Sequence, residues 1–432
     1  MNTLDLRGKK LLLMGGGAYA KGIQKYKEEK GFGIVTLGKD KDTPISRIAD
    51  SFYNIDTQDV DAVVEVVKKE KVDGIFVGSS EVNINPAIDV AARTGIHFYV
   101  NREQWDIISN KAQFKQIARK YGFPVIPEFS LSENPTDEEI EKLDYPLMIK
   151  PTDSSGARGM NPCYRKEDFR GLYEEALRWS KKKEVIVEKL VTGAKEVFVN
   201  YTIQDGEATL AYSFTKFQVN AHDNKTMVPL FHMYPSRYTD EYCEKVDASA
   251  KRMIGGLGLK DGTLTLQGFY KDGEFYFFEA GYRMGGAQAY ILTDFMNGAN
   301  VLEYMINYAL TGKMSEERIA EKENVHFKYP CCNYYVVLKP GLITKIIGLD
   351  EVEHLPGVLN VTQMVKEGDQ ALDTNALERV GFRIHVYGES NEILANNLVR
   401  ISSTLQVMSD KGEEMQLEPL TFERCMSLIE SK

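Results

Sequence analysis

An α/β chain led by a parallel sheet is what this sequence predicts, and three observations predict it. Apolar runs alternate with helix-patterned stretches through the first hundred residues, and glycines follow the runs. Two later segments alternate apolar and polar residues around Asp205-Gly206 and Asp272-Gly273, the pattern of antiparallel hairpins. The length, 432 residues, exceeds what one hydrophobic core serves, so α+β parts are expected to follow the leading parallel-sheet domain.

In order, KKLLLM (9–14), GIVTLG (33–38) and VDGIFVG (72–78) read as strands. Helical stretches lie between and after them, at 58–69 and in NPAIDVAARTG (85–95). This first domain is expected to cover 1–105. The turn Gly15-x-Gly17-x-x-Ala20, with Asp40 further on, matches a dinucleotide fingerprint. Any parallel sheet needs a tight glycine turn there, so an NAD-dependent enzyme is a minor reading.

Residues 106–130 read as one amphipathic helix ended by Gly-Phe-Pro. A polar linker (132–143) leads to a strand ending at Lys150, a Ser/Gly loop, a helix at 166–180 and the strand EVIVEKLV. A hairpin follows, then a patternless loop at 218–238, a helix at 240–257 and the second hairpin. From about 326 a strand-rich section with a closing helix at 391–409 reads as a separate C-terminal α+β domain, 326–432.

The net charge of −10 argues against a nucleic-acid partner, because phosphate backbones need basic surface. No apolar run spans a bilayer, so no membrane partner is expected and the cytoplasm is the expected location. Five cysteines without regular spacing suggest neither disulfides nor a zinc site. Lys181-Lys182-Lys183 read as a solvated helix end.

Three stretches carry chemistry. IKPTDSSGARG sets Lys150 before Ser154, Ser155 and Gly156, whose backbone N–H groups suit phosphate oxygens; a plain hairpin tip fits equally well. In EKLVTGAKE, Glu188 with neighbouring backbone at Lys189 and Leu190 suits adenine, and Glu196 suits ribose hydroxyls; solvent-facing acids are the plainer alternative. FFEAGYRMGG ends an apolar strand in Glu279, with Arg283 four residues on. A carboxylate there needs a metal or a partner, so magnesium and a structural Glu–Arg pair both fit.

Together and in this order, these stretches resemble the ATP-grasp superfamily of carboxylate–amine ligases, which includes glycinamide ribonucleotide synthetase, L-amino acid ligases and the carbamoyl-phosphate synthetase large subunit. The resemblance implies a two-lobed ATP-grasp domain over 106–325 (small lobe 106–190, large lobe 191–325). SNKAQFKQIARKYGFPVIP resembles the helix carrying a first phosphate lysine, Lys111. Lys150, Ser154, Ser155 and Gly156 then hold phosphates; Glu188, Lys189 and Leu190 meet adenine; Glu196 meets ribose. Glu279 is the metal ligand and Arg283 the catalytic cation.

Two departures stand out. Gln267 occupies the place of an acidic metal ligand, and Gly281 replaces an asparagine. The resemblance implies ATP and Mg²⁺ (or Mn²⁺), small-molecule carboxylate and amine substrates, a possible homodimer, and formation of an amide through an acyl phosphate. Carbamoyl or carboxy transfer and a catalytically weakened nucleotide-binding protein are the alternatives. Ser79, Glu81 and Asn83 at a strand end, and His222 and Arg237 beyond the first hairpin, are candidate substrate contacts.

Overall fold

The computed structural model describes residues 4–153, 158–220, 227–372 and 378–430. Ser154, Ser155, Gly156 and His222 lie outside them. The leading sheet has four parallel strands, Lys10–Leu13 (β1), Gly33–Leu37 (β2), Ser51–Tyr53 (β3) and Gly74–Phe76 (β4), in the order β3-β2-β1-β4. Leu11, Leu12 and Leu13 are fully buried, as expected of a central strand covered on both faces. Glycine is required in β4: a Cβ on Gly74 would stand 1.9 Å from the Ala309 carbonyl of the helix Val301–Thr311 packed against it.

The fingerprint-like turn has a packing explanation. Gly16 sits at φ 93°, and a Cβ on Gly15 would meet the Val77 carbonyl at 2.6 Å, so these glycines let two strand ends touch. Asp40 is exposed and accepts from the Asp42 backbone.

A small sheet follows: Leu147–Pro151 (β5), Asn161–Cys163 (β6) and Val185–Lys189 (β7), in the order β6-β5-β7. It has its own core, built on Leu147, Ile149, Phe169 and Val187. The large sheet has eight strands. Five are Lys195–Gln204 (β8), Glu207–Asn220 (β9), Met227–Tyr234 (β10), Gly262–Lys271 (β11) and Glu274–Tyr282 (β12). Cys331–Val337 (β13), Val358–Gln363 (β15) and Val380–Tyr387 (β17) extend the same sheet in the order β12-β11-β8-β9-β10-β13-β17-β15. Gly341–Ile347 (β14), Gln370–Ala371 (β16) and Gln406–Ser409 (β18) form a third antiparallel sheet. Both predicted hairpins form, with Asp205, Gly206, Asp272 and Gly273 all at positive φ.

Three local expectations need correction. Residues 227–234 are a strand, buried from Val228 onward; Pro229 lies at a bulge, where a missing N–H costs no ladder bond. The helix expected over 106–130 is two helices, Arg102–Ser109 and Lys111–Lys120. Asn110 divides them, its side chain accepting from the Ala112 and Gln113 N–H groups. The closing helix stops at Thr404, and β18 takes the residues after it.

Candidate nucleotide site

Residues 124–129 join the small sheet to the edge of the large one. Ile126 N–H donates to Phe277 O (3.0 Å) and Phe277 N–H to Pro124 O (3.2 Å), while Phe129 N–H donates to Val187 O (2.9 Å). The edge of β12 therefore lies beside β7 and β5. Lys150, on β5, places its ammonium 5.2 Å from the centre of the Phe278 ring, next to Glu279 on β12.

Lys111 opens its helix because Asn110 caps it, and its N–H donates to Thr152 O (3.2 Å) beyond the end of β5. One turn later Lys115 is fully buried. Glu188, on β7, is 1% exposed and ion-paired with both Lys115 and Lys150, the latter at 2.7 Å. Lys115 also reaches Glu128 (3.3 Å), which Arg119 binds from outside. Lys111, Lys115 and Lys150 are thus buried around Glu188, with Glu128 and the half-buried Glu279 as the neighbouring carboxylates. Burial pulls Lys115 down to about 8, against the pull of Glu128. Burial, then the neighbouring Lys115 and Lys111, holds Lys150 well below the ordinary lysine range, against the pull of Glu279 and Glu128.

Glu188 is thus not an open acceptor: its carboxylate is engaged by two ammonium groups. Lys189 is exposed, 3.5 Å from Asp144, and Leu190 N–H donates to Pro146 O (3.1 Å). Glu196, on β8, accepts from Gln267 Nε2 (2.7 Å) and pairs with Lys216 (3.0 Å).

Gln267 and Glu279 face each other across β11 and β12, beside a bulge. Glu279 is half-buried and makes no hydrogen bond or ion pair among the described residues. Among those residues no group of three His, Cys, Asp or Glu side chains gathers to hold a metal. The donors present still fit magnesium, which needs few protein ligands when phosphates and water complete its shell. Glu279 offers a carboxylate, and Gln267 retains its amide oxygen because only its nitrogen serves Glu196.

Arg283 donates to Glu81 (3.2 Å) at the end of the N-terminal sheet and to Met284 O (3.2 Å); its Nε–H has no partner among the described residues. Ser79 borders Gly286, where a Cβ would lie 3.9 Å from its hydroxyl. Asn83 is structural: it accepts from Thr57 (2.8 Å) and Gln58 (3.0 Å) and donates to Met14 O. Arg237 is exposed and donates to Glu430 O (2.9 Å) near the C-terminus, apart from this cluster.

Sequence reasoning missed Lys115, Glu128 and Lys216. A signal existed for Lys115: a lysine four residues after Lys111 shares its helix face, beside buried Phe114 and Ala118.

Residues 110–317 match the family model described as the ATP-binding domain of the carbamoyl-phosphate synthase L chain. They form an ATP-grasp domain. A formate-dependent phosphoribosylglycinamide formyltransferase from Sulfurisphaera tokodaii is 24% identical over 58% of this chain, which spans 64% of that relative, a little under two thirds of its length. Solved structures share the fold over nearly the whole chain. Phosphoribosylglycinamide synthetase from Anaerococcus prevotii superposes with TM-score 0.74 at 20% identity, covering 93% of this chain and 100% of that one. L-amino acid ligase from Bacillus licheniformis gives TM-score 0.74 at 18% identity, covering 94% and 99%. Among the described residues no helix is long and apolar enough to cross a membrane.

Proposed function

We propose that the protein is an ATP-dependent ligase that joins a carboxylate to an amine. The carboxylate oxygen attacks the γ-phosphorus, the bond to the β-phosphate oxygen breaks, and ADP leaves. The amine nitrogen then attacks the acyl carbon, the carbon–oxygen bond to phosphate breaks, and the amine proton passes to solvent. The observation that carries this reading is the placement of Lys150: a buried small-lobe ammonium beside Phe278 and Glu279, with Lys111 and Lys115 behind it.

In this reading Lys111 and Lys150 bind phosphate oxygens. Glu188 accepts from the adenine amine and Glu196 meets the ribose. Glu279 and the Gln267 amide oxygen hold magnesium, which when bound neutralises phosphoryl charge. Arg283 stabilises the acyl phosphate and the oxyanion that follows. Because Lys150 is bonded to Glu188 in this structure, its move to the phosphates would release a Glu188 oxygen for the base.

The test is ADP release with magnesium across carboxylic acids paired with amines, with bicarbonate as a separate arm. Turnover requiring both an acid and an amine supports the ligase. Turnover with bicarbonate alone favours carboxy transfer, and ATP binding without turnover favours a weakened protein. A protein that does not bind ATP ends the reading.

A further inference from the structure

A band of polar side chains crosses the large sheet beneath the loop Gly285–Gln288. Lys216 pairs with His232, His232 with Asn333, Asn333 with His385, and His385 with Asn360, each on the neighbouring strand. Two residues along, Tyr335 pairs with Arg383 and Arg383 with Thr362. Residues opposite one another share a face, and so do residues two apart, so these groups form one polar surface inside the molecule.

The loop backbone satisfies part of that surface. Arg383 Nη1 donates to Gly286 O (2.6 Å), and Asn333 Nδ2 (2.9 Å) and His385 Nε2 (3.0 Å) approach Ala287 O. Arg383 Nε, Asn333 Oδ1 and His385 Nδ1 are buried without partners among the described residues. Unmet buried polar atoms are uncommon in folded proteins.

Arg383 is the sharpest case. It is 9% exposed, lies 5.3 Å from the centre of the Tyr335 ring, and pairs with no carboxylate among the described residues. A buried guanidinium without a counter-ion is destabilising. Its neighbours do not compensate it: burial pulls His385 down to about 3 and holds His232 far below the usual histidine range, so both rings are neutral. Lys216 is already paired with Glu196. The Tyr19 hydroxyl lies close enough to feel both Arg283 and Arg383, and it donates to Gly285 O. Two guanidiniums therefore converge on one loop, and among the described residues only Arg283 has an acid partner.

We propose that Arg383 binds a second anionic group of the substrates, a carboxylate or a phosphate monoester distinct from the carboxylate that is activated. Its unpartnered Nε–H edge is the donor for that oxyanion, and Tyr335 and His232 border the subsite. This rests on the ligase reading, in which Arg283 is committed to the acyl phosphate. The substrates are accordingly of the amino-acid, dicarboxylate or sugar-phosphate kind, not simple amines with monocarboxylates.

The test uses full-length protein loaded with ADP and magnesium, whose binding is measured first; failure there indicts the ligase reading alone. Thermal shift and calorimetry then compare probes differing only in the extra anion: succinate against succinamate, and glycerol phosphate against glycerol. Stabilisation by the charged member of one pair is expected, and the responding pair shows whether carboxylate or phosphate is taken. Arg383→Met should weaken that binding at least tenfold, while ADP binding stays unchanged. Without any ligand, Arg383→Met should melt at the same temperature or higher, because it removes an uncompensated charge. Equal response to charged and neutral probes, no response to either pair, or a large drop in ligand-free melting temperature with probe binding intact would each overturn the proposal.

Discussion

Lys150→Met tests the exchange at the heart of the site. Lys150 Nζ lies 2.7 Å from Glu188 Oε2, a charge-assisted contact between groups 2% and 1% exposed. Such a bond contributes about 1.5–3 kcal/mol. For adenine to use Glu188, that contact must break; a triphosphate replaces it with an equivalent one, but adenosine does not. Methionine fills the same volume and leaves Glu188 paired with Lys115. Adenosine should then bind the variant roughly 10- to 100-fold more tightly, at ~1.4 kcal/mol per decade. ATP should weaken by less than that, since the lost phosphate contact is offset by the Glu188 contact no longer broken. Calorimetry with adenosine, ADP and ATP reads this directly. A lysine serving phosphate alone would leave adenosine unchanged and weaken ATP by the full amount, and that result would refute the exchange.

Arg283→Ala should lower kcat by roughly 10²–10³-fold with little effect on ATP affinity, measured by ADP release and calorimetry. Gln267→Glu sets a second carboxylate opposite Glu279 and beside Glu196; the half-saturating magnesium concentration should fall several-fold, while the metal-free variant loses stability to like-charge repulsion. Glu323 is raised to about 8 by burial, with Thr202 bonded to one oxygen and Oε2 buried without a partner among the described residues. The folded protein holds that proton more tightly than the unfolded chain, so this residue's contribution to stability falls as pH rises from about 4.5 to 8. Glu323→Gln should therefore stabilise by roughly 1–3 kcal/mol at pH 8 and little at pH 5, as read by denaturant titration at both values.

The parallel sheet was legible because β1 and β4 are short apolar runs ending in glycine, and both hairpins because Asp-Gly announces its own turn. The order Lys111, Lys150, Glu188, Glu279, Arg283 could also be read from the chain, and the structure sets Lys150 against Glu188 and beside Phe278, next to Glu279. What escaped depended on distant neighbours. Met227–Tyr234 looks patternless because both faces are buried, and its pairing partner Cys331–Val337 lies about a hundred residues away. Lys115 looks like an ordinary helix lysine until Glu188 arrives from another strand. Arg383 reads as a routine charge in a strand, and only the register with Tyr335 and Thr362 puts it under the glycine loop.

The ladder between β10 and β13 has a practical consequence for anyone shortening this protein. It joins Phe231 to Tyr334 and Tyr234 to Cys331 in the middle of one sheet. Ending the chain before Cys331 would strip Met227–Tyr234 of that neighbour and turn an interior ribbon into an adhesive rim, ready to pair with another copy. Trimmed versions meant for binding studies would clump. The tail is better regarded as a wall of the large sheet than as a detachable appendage.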